Sequence, residues 1–229
     1  MKRILVVEDE ESIRELICLN LEKTGFTVLG AGTGEEAVEI FTREGSSIDV
    51  ILLDIMLPGI SGLQVCKQVR QLSSTVGIIM LTAKTQEMDK ISGLMLGADD
   101  YVTKPFSVSE LMARVDAIYR RVAMSGGGQT STLHYGPFEM NLKSRVLRKN
   151  GDPVELTQVE YQIMELFLKN PDTVLDRMEI LKSIWGENYY GDDKIIDVNI
   201  RRLRMKIEEE PSRPRHITTV WGVGYRFKA

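Results

Sequence analysis

The chain has only two cysteines and two histidines in 229 residues, and aromatic side chains make up just 7% of it. Cys18 and Cys66 stand far apart, each within a helical pattern, so two buried thiols are expected and not a disulfide framework. His134 and His216 have no Cys or His neighbours at metal-ligand spacing, which argues against a zinc site. No apolar run reaches the ~20 residues that span a bilayer. Met1-Lys2-Arg3, followed by Ile4-Leu5-Val6-Val7 and then acids, is too soon charged for a signal peptide. A cytoplasmic protein with no membrane partner is expected. A strong charge of one sign is also missing: the net charge is −4. Residues 1–122 hold 13 Lys+Arg against 18 Asp+Glu, or −5, and residues 123–229 hold 16 against 15, or +1. Neither half is a basic tail, so any nucleic-acid role must rest on local clustering of charge.

What is present points to two domains. Ser125-Gly126-Gly127-Gly128-Gln129-Thr130-Ser131-Thr132 offers no apolar side chain to bury and reads as a linker. The expected division is 1–122, a linker over 123–132, and 133–229. In the first part, short β-branched runs at Ile4–Val7, Phe26–Leu29, Val50–Leu53, Ile78–Leu81 and Tyr101–Val102 lack polar alternation. Strands buried on both faces of a parallel sheet read this way. Helical periodicity lies between them, as in Ile13, Leu16, Ile17 and Leu21. Five strands alternating with five helices predict a doubly wound, flavodoxin-like α/β domain. Ser107 with Glu110 predicts a capping box for the last helix, and Phe106 with Leu111 a hydrophobic staple.

In the second part, strand-like runs (His134–Met140, Val146–Lys149, Val154–Glu155) precede three helical patterns. Thr157 and Glu160 make a capping box for the first helix, the second covers about Arg177–Trp185, and the third runs from about Asp193 to Glu208. Ile217–Val220, Gly222, Gly224 and Tyr225–Phe227 read as a hairpin. Three helices followed by a hairpin predict a winged helix-turn-helix. No internal repeat is found.

Ligands of open parallel sheets sit beyond the carboxyl ends of the strands. The expected strand ends carry Glu8-Asp9, Asp54, Thr82 and Lys104-Pro105. Polar residues at one strand end are ordinary, but five chemically matched ones along one edge are not. Three clustered carboxylates need a cation, and hard oxygen donors suit Mg²⁺. Asp54 can attack a phosphoryl group to give an aspartyl phosphate. Lys104 supplies a second positive charge, and Thr82 a hydroxyl donor, for the phosphoryl oxygens. Two other chemistries are weighed against this. Gly30-Ala31-Gly32-Thr33-Gly34 follows a strand like a dinucleotide fingerprint, but its third glycine would fall at Glu35. A phosphatase of the haloacid dehalogenase type would need a second Asp where Met56 stands.

In the third helix of the second part, Ile196, Ile200, Leu203 and Ile207 form one apolar stripe. Opposite it lie Lys194, Val198, Arg201, Arg202 and Met205, flanked by Asn199, Arg204 and Lys206. Arg and Asn can read base edges, and Lys or Arg can neutralise phosphates. A charged helix face is usually only solvated; the hairpin after it is what favours DNA. The rival reading keeps the phosphorylation switch but gives the second domain a protein or RNA partner.

With Asp54-Ile55-Met56-Leu57-Pro58-Gly59 and Lys104-Pro105-Phe106, residues 1–122 resemble the receiver domains of two-component response regulators. The rest of the chain resembles the effector domain of the OmpR/PhoB subfamily. That match rests on Leu156-Thr157, on Asp197-Val198 with Ile200-Arg201-Arg202-Leu203-Arg204, and on Gly222-Val223-Gly224-Tyr225-Arg226-Phe227. The resemblance implies a transcriptional regulator controlled by phosphorylation of Asp54 by a sensor histidine kinase; the chain would not be an enzyme beyond that exchange. Asp9 and Asp54 would hold Mg²⁺ directly, Glu8 through water, and Met56 through its carbonyl; Thr82 and Tyr101 would form a switch pair. Phosphorylation would promote a homodimer through Lys90, Asp99, Asp100, Glu110, Arg114 and Arg121, with Lys90 meeting Glu110 and Asp100 meeting Arg114 across a twofold axis. Duplex DNA would be bound at promoter repeats through the third helix, with Thr219 and Trp221 of the wing. RNA polymerase would be met by the loop 186–192. Trp221 departs from the subfamily, some members of which carry Arg at the wing tip.

Overall fold

A computed structural model of the chain describes residues 2–83, 94–123, 132–187, 189 and 193–229, with nothing of the side chains of 83 and 121–123. It divides into two compact units, Met1–Ala123 and Met124–Ala229.

The first unit is built on five strands: β1 (Arg3–Val7), β2 (Thr27–Ala31), β3 (Val50–Asp54), β4 (Gly77–Ala83) and β5 (Asp100–Lys104). Their order is β2-β1-β3-β4-β5, all parallel. The helices are α1 (Glu11–Lys23), α2 (Gly34–Glu44), α3 (Gly62–Leu72) and α4 (Val108–Ala123); the segment between β4 and β5 is described only from 94. The unbroken apolar runs of β1 and β3 are buried over both faces, as the sequence predicts. Ile4, Val6, Val50 and Leu52 pack with Ile17 and Leu21 of α1 and Leu111, Val115 and Ile118 of α4. The alternate set, Leu5, Val7, Ile51 and Leu53, is buried as well, and helices α2 and α3 bury Ala37, Phe41, Val65 and Val69. Each such side chain contributes about 1.5–3 kcal/mol on leaving water, so the sheet is the rigid member from which the strand-end side chains project. Of the box expected at the start of α4, Ser107 Oγ does accept from the Glu110 amide (3.1 Å). The Glu110 carboxylate instead takes Arg114 (2.8 Å).

The second unit opens with a four-stranded antiparallel sheet, β6 (Thr132–Tyr135), β7 (Phe138–Asn141), β8 (Val146–Lys149) and β9 (Asp152–Val154). The single run expected over His134–Met140 is thus a hairpin. Helices α5 (Gln158–Lys169), α6 (Arg177–Trp185) and α7 (Lys194–Ile207) follow, then β11 (Ile217–Val220) and β12 (Gly224–Phe227). A short strand β10 (Val174–Asp176), not foreseen, pairs with the far side of β12. Gly224 permits that approach, because a Cβ there would stand 2.1 Å from the carbonyl oxygen of Leu175. Phe138, Phe167 and Phe227 form the centre of the core, with ring centroids 5.2 and 5.8 Å apart. No helix among the described residues is long and apolar enough to cross a membrane.

Candidate functional site

The carboxyl edge of the first sheet gathers the expected side chains. Asp54 ends β3, Glu8 and Asp9 follow β1, Thr82 lies in β4 and Lys104 ends β5. Carboxylate oxygens of Glu8, Asp9 and Asp54 lie within 4.8 Å of one another; Glu8 and Asp54 are buried and Asp9 is exposed. Lys104 Nζ donates to both oxygens of Glu8 (2.9 and 2.7 Å) and to Asp54 Oδ2 (2.5 Å). The Met56 amide donates to Asp54 Oδ1 (3.0 Å). Burial, reinforced by the charge of Asp54, pushes the Glu8 carboxyl up despite Lys104. Burial pulls the Lys104 ammonium the other way, yet its bonds to Asp54 and Glu8 prevail and its pKa is raised. Two buried carboxylates therefore share one ammonium beside a third, exposed carboxylate, and the oxygen donor set fits a hard divalent ion. Thr82 and Tyr101 are both buried.

A residue unmarked by the sequence reading sits against the backbone of Asp54. A Cβ on Gly62 would stand 1.9 Å from the carbonyl oxygen of Asp54, so only glycine lets α3 start against that backbone. The capping box of Ser61 and Gln64 at the same point was the available signal.

The expected interface residues separate. Asp99 is fully buried and accepts from Arg70 Nη2 (2.8 Å) and the Ile78 amide (2.8 Å), so it faces the interior and not a second chain. Asp100 and Arg114 do meet, but within one chain, both Asp100 oxygens standing 3.1 Å from Arg114 Nη1. Lys90 and the side chain of Arg121 lie outside the described residues.

On α7 the expected stripe of Ile196, Ile200, Leu203 and Ile207 is buried, but the buried sector is wider and takes in Val198, Asn199 and Arg202. This corrects their placement on the exposed face. Asn199 Nδ2 donates to the carbonyl of Ile195 (2.8 Å). Arg202 reaches Asn199 Oδ1 and Thr157 Oγ1 (3.3 Å each) and forms an ion pair with Glu160 (2.8 Å). Glu160 is the residue that closes the α5 capping box. Burial alone would raise its pKa, but Arg202 and Lys206 hold it below the usual carboxylate range. Lys206 is one-third exposed and also binds Glu160 (2.6 Å). Arg204 donates to the carbonyl of Ile217 and to Thr219 Oγ1 (2.9 Å each), tying β11 to α7. Left exposed on α7 are Lys194, Asp197, Arg201, Met205 and part of Lys206. Asp197 accepts from the Tyr225 hydroxyl (2.6 Å) and Arg177 Nε (2.9 Å). Trp221, at the turn between β11 and β12, is 90% exposed. Of the loop 186–192, residues 188 and 190–192 lie outside the described residues.

Residues 4–116 match the family described as response regulator receiver domain, and residues 151–227 the one described as transcriptional regulatory protein, C terminal. The chain is 45% identical to the sensory transduction protein RegX3 of Mycolicibacterium smegmatis over 230 residues, the whole of both chains. It is 44% identical to RegX3 of Mycobacterium tuberculosis over 233 residues, again the whole of both. Among solved structures it is similar to DrrB, a Thermotoga maritima OmpR/PhoB homologue, with 30% identity, all of both chains covered and a TM-score of 0.51. A mutant of RitR superposes with a TM-score of 0.78 at 25% identity over 99% of each chain.

Proposed function

The chain belongs to the response regulators that join a receiver domain to an OmpR/PhoB-type DNA-binding domain, and from that premise we propose that it works in the cytoplasm, that Asp54 is the phosphoacceptor and that a sensor histidine kinase is the donor. The observation that carries this is the buried Asp54 carboxylate within 4.8 Å of two other carboxylates and 2.5 Å from Lys104. An Asp54 oxygen attacks phosphorus as the bond to the donor's nitrogen or oxygen breaks, and the leaving group departs with that electron pair. Glu8, Asp9 and Asp54, with the carbonyl of Met56, would hold Mg²⁺, which when bound offsets charge on the phosphoryl oxygens. Lys104 now spans Glu8 and Asp54, and it is placed to follow the new charge. The hydroxyl of Thr82 turns to the same oxygens, and Tyr101 answers that movement. Dimerisation on phosphorylation uses the exposed flank of α4 and the segment before β5, with Asp99 removed from the set.

Duplex DNA is met by the exposed face of α7, through Lys194, Arg201 and Lys206, and by Trp221 of the wing. RNA polymerase is met through the loop 186–192. Two experiments test this function. Incubation with acetyl phosphate and Mg²⁺ adds one phosphoryl group by mass, and Asp54→Ala adds none; labelling of Asp54→Ala refutes the acceptor. Arg201→Ala and Trp221→Ala each weaken binding to a site selected from genomic DNA, and the affinity of the unaltered chain falls steeply with salt. Affinity indifferent to salt and to both changes would instead favour a protein partner.

A further inference from the structure

The glycine-rich segment at the end of β2 resembles a dinucleotide fingerprint but lacks its third glycine, and its geometry shows another use. Gly30 and Gly32 present bare backbone, and the side chain of Arg14 from α1 lies across them. Arg14 Cδ is 3.7 Å from where a Gly30 Cβ would be, and Arg14 Nη1 is 3.5 Å from where a Gly32 Cβ would be. Any side chain longer than a methyl at either position would compete for the same space. The strand end is itself held, because Glu36 of α2 accepts from the Gly32 amide (2.8 Å). From this bed the Arg14 guanidinium reaches the turn after β1. Nη1 donates to the carbonyl of Glu8 (2.6 Å) and also approaches that of Asp9 (3.3 Å). These two residues supply carboxylates to the acidic pocket. On its other side the same turn is held by one backbone bond, from the Glu8 amide to the carbonyl of Ala31 (3.1 Å).

We propose that Arg14 is a positioning residue for the acidic pocket, gripping the backbone of Glu8 and Asp9 so that their carboxylates stand ready for a divalent cation. This rests on the reading of the pocket as a Mg²⁺ site. A metal site whose ligands hang from a turn gains affinity when that turn is fixed beforehand, because the ordering is then not a cost of binding. Groups that orient ligands without touching the ion commonly account for 10–100-fold in affinity. Arg14 touches neither the ion's place nor the phosphoryl group, so it acts only through the turn.

The test is calorimetric titration of the full chain with Mg²⁺, together with the Mg²⁺ dependence of labelling by acetyl phosphate. Arg14→Met keeps the stem and removes the donors. It should raise the Mg²⁺ dissociation constant about tenfold, and raise the half-saturating Mg²⁺ for labelling by the same factor. The rate at saturating Mg²⁺ should be unchanged. Arg14→Lys, which can reach one carbonyl, should recover part of the loss. Ile17→Ala removes a buried side chain one turn along the same helix and measures what mere loosening of α1 does. The proposal is overturned if Arg14→Met binds Mg²⁺ as the unaltered chain does, or if Ile17→Ala weakens binding as much. Should the unaltered chain bind no Mg²⁺, the reading of the pocket and the role of Arg14 fall together.

Discussion

Replacing Arg202 by Met should unfold the second domain more readily, and the burial of its partner sets the size of the effect. Arg202 is 4% exposed and Glu160 fully buried, 2.8 Å apart. Removing one member of a buried pair leaves an uncompensated charge and costs about 3–5 kcal/mol. Glu160 keeps Lys206 at 2.6 Å and the amide of Thr157 at 2.8 Å, so the low end, about 3 kcal/mol, is expected. For a domain of this size each kcal/mol moves the midpoint by about 4–8 °C, giving a fall of roughly 12–24 °C. Both tryptophans, Trp185 and Trp221, belong to the second domain. Trp185 is buried, so its fluorescence follows that domain's unfolding in the full chain. A second variant separates charge from packing. Glu160→Gln can still accept from Thr157, and joined to Arg202→Met it leaves no buried charge unpaired, since Lys206, which loses its carboxylate partner, is one-third exposed. The double variant should be more stable than Arg202→Met alone, by about 1–2 kcal/mol of coupling. If Arg202→Met melts with the unaltered protein and instead loses preference at one base pair, Arg202 faces DNA and the buried network is refuted.

Two further outcomes follow from the same geometry. Glu160 has a folded pKa below its ordinary value near 4.5. Its contribution is therefore present above that value and lost as pH falls below it through the depressed one; denaturant midpoints of the second domain should be flat from neutrality to about pH 5 and drop in stronger acid, and a midpoint that rises on acidification contradicts this. Gly62→Ala places a methyl 1.9 Å from the carbonyl of Asp54; it should destabilise the first domain by about 1–3 kcal/mol and slow labelling by acetyl phosphate, and circular dichroism with labelling unaltered in both respects would show that α3 can back away without disturbing the acceptor.

The first sheet and its site were legible because both depend on local order along the chain. A strand buried on both faces announces itself by an unbroken apolar run, and the residue that ends it is then fixed in space. Glu8, Asp9, Asp54, Thr82 and Lys104 could be placed together for that reason. What escaped depends on partners distant in sequence. A helical wheel puts Arg202 opposite the apolar stripe, but it is drawn inward by Glu160, more than forty residues upstream, and Asn199 packs beside it. Asp99 and Asp100 were expected on one dimer face, yet neighbours along a strand point to opposite faces. One meets Arg70 on α3 and the other Arg114 on α4. Strand β10 has three residues and exists only because β12 offers an edge and Gly224 allows the approach.

Two buried glutamates show how a functional cluster differs from a structural one made of the same residue types. Glu8 is 1% exposed and Glu160 0%, and burial raises the pKa of each. Glu160 stands against Arg202 and Lys206, so attraction prevails and its pKa is lowered. Glu8 shares the single ammonium of Lys104 with Asp54, whose charge opposes it, and its pKa is raised. Around Glu160 the charges sum to +1 with every carboxylate paired; around Glu8 three carboxylates and one ammonium sum to −2. The first arrangement is complete, and its removal would cost stability alone. The second is unbalanced in a pocket open at Asp9, and a site in that state gains by taking up positive charge. A divalent cation would supply the missing +2. The imbalance, more than the presence of acids, is what separates the site from the scaffold.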